Sequence, residues 1–428
     1  MTSSSGTDNP ARKNWAGNLT FNAEHFHQPR TIEELQEIVV RVDKLRALGS
    51  GHCFNNIADT PFHQASMENF KLVVGINKDD QTVTVEAGLK YGELCPWLHK
   101  QGYALHNLAS LPHISIAGAC ATATHGSGIG IGNLAAAVTE MEMVNAAGEI
   151  ITLSRKKDED TFCGAVVGLG GVGIVTKLTL QVQPAFNMAQ RVYLRLPLDA
   201  LLKNFEDIMA SGYSVSLFTD WQSEVINQVW IKRVTNSDGP IEAETDFYGA
   251  HSADVDRHPV DDLTAENCTD QLGIPGPWHE RLPHFRMDFV PSSGEELQSE
   301  YFVPAEHAKA AIEAMQGIGS QLEPVLIVSE LRSIAADDLW MSTCYQLPSI
   351  AFHFSWNLDP DGVIKVLPIV EEALRPFGAR PHWGKVYTMS ADEVRILYPK
   401  FKDFRELLNE VDPSGKFRND FLQQTFFD

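Results

Sequence analysis

Cysteine is scarce in this chain and forms no motif. Cys53, Cys95, Cys120, Cys163, Cys268 and Cys344 are six isolated thiols among 428 residues, with no Cys-x-x-Cys pair. This spacing fits reduced thiols in a cytoplasmic protein better than a disulfide framework or a zinc site. Basic residues are also few. Against 56 Asp and Glu there are 34 Lys and Arg, a net charge of −22, which argues against nucleic acid because a phosphate backbone is bound by clustered cations. No apolar run approaches the ~20 residues of a membrane helix. Residues 1–10 lack the charged-then-apolar order of a secretory signal and read as a loose tail. Repeats and low-complexity stretches are absent. What is present is an ordinary apolar content of 43% in a chain long enough for two cores, since single cores stop growing near ~250–300 residues.

Periodicity divides the chain. Thr31, followed by Ile32, Leu35, Ile38, Val39 and Val42 at helical spacing and by Glu34 three residues on, predicts a helix with a capping box. Strands are expected at 71–76 and 82–88, a short helix at 91–99, a hairpin around Ala147-Gly148, and an alternating strand from Ile174 to Pro184. The following segment reads as strand 192–196, helix 198–209, and strands 215–218 and 229–234. Residues 236–291, rich in Pro, Gly, Asp and His, read as loops over a site. Strand 297–303, helix 305–318, strands 324–334 and 349–356, and helix 363–374 follow, a set able to form one antiparallel sheet with helices on a face. A last helix is expected over 391–411.

Gly49-Ser50-Gly51-His52 follows the short strand Lys44-Leu45-Arg46-Ala47-Leu48, so its glycines fall where the chain leaves a sheet. Such a turn lets successive N–H groups converge on an anion, and a histidine fixed there can bond through a ring nitrogen to the benzenoid end of a flavin. Ordinary surface turns share these residues, so context decides. The context is two further clusters of small residues, Gly118 to Gly128 and Gly168 to Gly173, where backbone can approach a large planar ligand. The second opens into a strand through Ile174 and Val175, not a helix, which disfavours a nicotinamide dinucleotide fingerprint. Cys53 reads as packing.

On strands, Glu330 and Arg332 point to one face, as do His353 and Ser355. A structural ion pair and a hydrogen-bonded core histidine are the alternative readings. Two adjacent strands with polar residues on one face also form a wall that can read hydroxyls, each of which needs a donor and an acceptor.

Several segments, among them Asn14-Trp15-Ala16-Gly17-Asn18, the turn at 48–54, Leu108-Ala109-Ser110-Leu111-Pro112-His113, Thr124-His125-Gly126, Pro277-Trp278-His279-Glu280-Arg281, His382-Trp383-Gly384-Lys385 and Asp412-Pro413-Ser414-Gly415-Lys416-Phe417, resemble the alditol oxidases of the vanillyl-alcohol-oxidase superfamily. The likeness runs over nearly the whole chain. Aldonolactone oxidases share the glycine-histidine turn and the closing segment, whereas the tryptophan-rich and Pro-Trp-His-Glu-Arg segments point to the polyol branch.

The resemblance implies an α+β, two-domain fold of the vanillyl-alcohol-oxidase type. An FAD-binding domain of two α+β subdomains would occupy 1–185, a substrate domain with a large antiparallel sheet flanked by helices 186–380, and a segment returning to the FAD domain 381–428. It implies FAD linked covalently to His52 and bound by Gly49, Ser50, Gly51, Ser115, Gly118, Thr122, His125, Gly126, Gly173, Ile174 and Val175. Ser110, Glu330, His353 and Ser355 would hold substrate, Lys385 and Arg332 would be catalytic, and Ala109 would lie by the flavin carbon that oxygen attacks. Ser355 stands where threonine is expected, keeping the hydroxyl and losing a methyl. His113 and Trp383 are expected to be structural. The implied reaction moves hydride from C1 of a linear polyol such as xylitol or sorbitol to FAD, and the electrons on to oxygen, giving an aldose and hydrogen peroxide in a cytoplasmic monomer. The alternatives are an aldonolactone oxidase, a flavin dehydrogenase using another acceptor, and a flavin- or sugar-binding protein without turnover.

Overall fold

A computed structural model of the chain describes residues 12–289 and 296–428; the tail expected at 1–10 lies outside them. Among the described residues, short strands in the first part form three small sheets, one of them only Tyr103–Ala104 paired with Gln183–Pro184. His25–His27, His63–Ser66 and Leu45–Leu48 pair in parallel. Val73–Asn77, Thr82–Glu86, Ile174–Gln181, Val138–Val144 and Ile150–Ser154 follow one another in a five-stranded antiparallel sheet. Thr31 caps helix Ile32–Arg41 by accepting the Glu34 N–H at 3.2 Å. The Glu34 carboxylate turns to the Arg30 N–H at 2.7 Å, so only half of the expected capping box forms.

The large sheet is antiparallel throughout. Its main order is His251–Ser252, Asn187–Pro197, Val225–Thr235, Ser214–Thr219, Leu326–Ile334, Ser349–Asn357, Glu296–Pro304 and Arg380–Pro381, and Gly276–Pro277 adds beside Asn187–Pro197. Register sorts its two faces. Val229, Leu217, Leu331, Phe352 and Tyr301 stand in one cross-strand row and bury against helices Ala308–Leu322 and Pro360–Leu374. One residue along, the period of two turns the row Phe218, Glu330, His353 and Glu300 to the other face.

Two expected helices are broken. The segment 391–411 forms Ala391–Arg395 and Phe401–Val411, because Pro399 lacks an N–H and its ring bars the preceding residue from the helical region. The segment 198–209 divides at Asn204, whose side chain donates to the Ala200 carbonyl at 2.8 Å and competes with the backbone.

Helices Phe401–Val411 and Asp420–Phe426 bury their apolar faces in the same core as Phe162, Val166 and Leu169. The intervening turn is held by Lys44 Nζ, which donates to Gly415 O at 2.6 Å, and by Leu45 N–H, which donates to Lys416 O at 2.9 Å. Buried Arg46 gathers the carbonyls of Ile57, Leu169, Gly170 and Phe417, joining three segments around one guanidinium. Among the described residues no helix is long and apolar enough to cross a membrane.

Candidate active site

A cavity of about 760 Å³ runs between the glycine turn and the polar face of the large sheet, within the size range of small-molecule and cofactor sites. At one end, Ser50 and Ser115 exchange bonds. The Ser50 N–H donates to Ser115 Oγ at 3.2 Å and the Ser115 N–H to Ser50 Oγ at 3.0 Å, locking the turn against helix Ile116–Ala121. A Cβ on Gly49 would stand 2.5 Å from Ser115 Oγ, and Gly51 has φ +69°; only glycine suits both positions. His52 turns Nδ1 toward Ser50 O at 3.1 Å, while its Nε2 is buried without a partner. Trp15 stacks on the ring at 5.5 Å between centroids and 16° between planes. Burial takes the imidazole down to about 4, so it is neutral at pH 7 with a lone pair available. An orphaned nucleophilic nitrogen beside a cradle of small residues fits a flavin.

Ser115, Gly118, Thr122, His125, Gly173 and Val175 border the same cavity, as do Ala109 and Ser110. Gly126 and Ile174 do not. Gly126 is packed on Asn107 and Leu108, where a Cβ would fall 2.2 Å from Asn107 Oδ1, and Ile174 is buried in a core with Phe417. His113 points a nitrogen at Met287 O at 3.0 Å. Trp383 is fully buried and donates Nε1–H to Met341 O at 2.7 Å. The Cys53 thiol, which burial pushes up to about 11, packs against Gly384.

The sheet end of the cavity is organised by a residue that the sequence reading missed. Buried Glu300 accepts from Lys385 Nζ at 2.8 Å on Oε2 and from Arg332 Nη2 at 3.0 Å on Oε1, with His125 Nε2 at 3.1 Å on the same oxygen. Burial alone would raise this carboxyl, but Lys385, His125 and Arg332 outweigh it and hold it well below the usual carboxylate range. Arg332 also donates Nη1–H to Ser110 Oγ at 3.2 Å and lies 3.4 Å from Glu330 Oε1. Lys385 donates to His353 Nδ1 at 2.7 Å, which places the ring proton on Nε2, toward Ser355 Oγ at 3.4 Å. Two carboxylates and two cations thus form a nearly neutral, preorganised group.

Two more residues were missed. His284 Nε2 lies 2.8 Å from Glu330 Oε1, and Lys232 Nζ lies 3.2 Å from His284 Nδ1. Composition did not single out Glu300 or Lys232, because their strands carry other polar residues, Glu296, Gln298 and Ser299 in one and Asn227, Gln228 and Arg233 in the other. For His284 there was no signal beyond its place in the Pro-Trp-His-Glu-Arg-Leu-Pro-His segment.

The chain is similar to known proteins over most of its length. The D-arabinono-1,4-lactone oxidase family profile matches residues 294–425, and an FAD binding domain profile matches 23–154. An alditol oxidase from a Streptomyces strain is 47% identical over 413 residues, covering 96% of this chain and 97% of that protein. An L-gulono-1,4-lactone dehydrogenase of Mycobacterium tuberculosis is 26% identical, over 97% of this chain and 99% of its own. A crystal structure of cholesterol oxidase from B. sterolicum has a TM-score of 0.77 at 15% identity, over 97% of this chain and 96% of that one; at that identity the likeness shows the fold alone.

Proposed function

The chain belongs to the alditol oxidases, FAD-dependent oxidoreductases of the vanillyl-alcohol-oxidase superfamily that act on alcohol CH–OH groups, and on that premise we propose that it oxidises the terminal C1 hydroxyl of linear polyols such as xylitol and sorbitol to the aldose. FAD is bonded to His52, and oxygen is reduced to hydrogen peroxide. Bound FAD supplies the hydride acceptor; the protein supplies position and charge.

One observation carries the reading. The row Glu330, His353, Glu300, with Arg332 and Lys385, borders the same cavity as the unpartnered His52 nitrogen. A polyol offers a hydroxyl on every carbon, and this wall alternates acceptors with donors. Ser110, Glu330, His353 and Ser355 orient the inner hydroxyls, while Lys385 and Arg332 stabilise negative charge on the C1 oxygen as its proton leaves. The small side chain of Ala109 leaves oxygen a path to the flavin. Residues 1–185 and 381–428 serve the cofactor, and 186–380 serve the substrate.

The test is an absorbance spectrum before and after acid precipitation, then anaerobic addition of xylitol to the native protein. Flavin that stays with the pellet and bleaches with xylitol, followed by peroxide formation on admitting air, is the expected result. Bleaching by a lactone but not by xylitol would assign the chain to lactone oxidation. Reoxidation by a quinone or a protein but not by oxygen would make it a dehydrogenase.

A further inference from the structure

Behind the substrate wall lies a lysine that the reaction as described leaves unused. Lys232 belongs to Val225–Thr235 and is 1% exposed. Its Nζ meets Leu282 O at 2.6 Å, Pro283 O at 3.0 Å and His284 Nδ1 at 3.2 Å. Three acceptors match the three N–H bonds of an ammonium, and none of them is a carboxylate. A cation buried this way is costly unless it serves something.

What it serves is the next group along. Because Nδ1 of His284 accepts from Lys232, the ring proton sits on Nε2, which donates to Glu330 Oε1 at 2.8 Å. Arg332 Nε lies 3.4 Å from that same oxygen. Glu330 Oε2 takes no hydrogen bond from the described residues, and Glu330 borders the cavity. The two oxygens therefore have separate tasks: one is tethered from behind, the other is left to accept from a ligand.

We propose that Lys232, acting through His284, is a positioning residue that fixes Glu330 as the acceptor for a substrate hydroxyl. This rests on the reading of Glu330 as a substrate-binding residue. The charged and titratable groups around Lys232 are Glu330, Arg332, Arg281, Cys268 and His284. Burial brings the ammonium down to about 7 against the opposing pull of Glu330 and Cys268, while His284, taken to about 4 by burial and by Lys232, stays neutral. Below about 7 all three N–H bonds are made. Above it the amine keeps two, the imidazole loses the donor that fixed its tautomer, and Glu330 loses its tether. Substrate affinity should therefore weaken on the alkaline side of about 7.

The experiment measures anaerobic flavin reduction by xylitol in the holoenzyme across neutral pH, comparing wild type with Lys232→Met, His284→Gln, His284→Leu and Glu330→Gln. Lys232→Met is expected to raise the apparent Kd for xylitol about tenfold at acidic pH, one hydrogen-bonded charge's worth, to leave the limiting reduction rate within about twofold, and to abolish the rise in Kd above pH 7. His284→Gln, whose amide can accept from Lys232 and donate to Glu330, should bind more tightly than His284→Leu. A wild-type Kd with a wild-type pH profile in Lys232→Met overturns the proposal. Should that variant fail to fold, equal Kd values in the two His284 variants overturn it instead. An unchanged Kd in Glu330→Gln would refute the role of Glu330 itself, whereas a raised Kd there beside an unaffected Lys232→Met refutes only the chain behind it.

Discussion

Phe54 donates its backbone N–H to the carbonyl of Gly384 at 2.8 Å. The bond joins the turn that carries His52 to the turn that carries Lys385, and Asn55 doubles it by donating Nδ2–H to Trp383 O at 2.8 Å and Lys385 O at 2.9 Å. Two segments far apart in the chain are therefore fixed to each other by one backbone bond and one short side chain. A flavin bonded to His52, as proposed, would be held at a set distance from the cation on the second turn, and fixing reacting groups in this way lowers the entropic part of a barrier.

His52→Ala should release FAD into the acid supernatant and leave the native protein with a less oxidising, noncovalent flavin that xylitol reduces more slowly. Trp15→Leu should show a weaker version of the same defect, because the ring stacked on His52 at 5.5 Å fixes its plane. Flavin fluorescence of the denatured protein on a gel reads both. Unchanged retention in His52→Ala would place the anchor elsewhere.

Ala109 is 8% exposed and borders the cavity beside Ser110. Replacing it by valine adds two methyl groups at the position proposed as the path of oxygen. Reoxidation of the reduced flavin by oxygen should slow more than its reduction by polyol. Stopped-flow traces of the two half-reactions separate these effects, and equal slowing of both would rule out a gate at this position.

Glu300 holds two cations, so Glu300→Gln should act on both stability and pH dependence. Leaving buried Arg332 and Lys385 without their anion costs roughly 3–5 kcal/mol, visible as a lower melting temperature. Burial already lowers the Lys385 ammonium, and Glu300 is the main group opposing that. Without it Lys385 loses its proton at lower pH, so the alkaline fall in the flavin reduction rate should move toward neutral. Stability shows the complementary sign. A carboxylate held below its ordinary value contributes above the unfolded value of ~4.3 and loses that contribution as pH falls through the folded one. The melting-temperature gap between wild type and variant should therefore narrow in acid.

The pairs Glu330 with Arg332 and His353 with Ser355 were legible because a strand's period of two is written in one segment. Glu300 was not, because its place beside His353 depends on the register between Glu296–Pro304 and Ser349–Asn357, which no single segment contains. His284 lies in a stretch without periodicity, where its position is set by bonds such as its N–H to Ser110 O at 3.1 Å. Gly126, which the structure packs on Asn107 and leaves out of the cavity lining, shows a related limit. A small residue looks the same in sequence whether a ligand or another stretch of chain approaches it, and here the neighbour is Asn107. The break at Pro399 was readable and was passed over because the apolar spacing on either side stays helical.

Lys385 and Arg332 should matter more in the transition state than in the bound substrate. A developing alkoxide gains from both cations, whereas a neutral hydroxyl gains only ordinary hydrogen bonds. Their shared partner Glu300 compensates part of that charge, yet it also pins each group in advance: Lys385 keeps one bond to Glu300 and one to His353, which leaves its third N–H for the substrate oxygen. Lys385→Met or Arg332→Met should remove about 3–4 kcal/mol of transition-state stabilisation, a few hundredfold in rate at about 1.4 kcal/mol per decade. Ser355→Thr should be mild by comparison, since the hydroxyl survives. Both methionine variants should depress the limiting anaerobic rate of flavin reduction while the bound flavin keeps its spectrum. If they raise only the KM for xylitol and reduction at saturation stays near wild type, the two cations hold substrate without stabilising the alkoxide, and the role assigned to them is wrong.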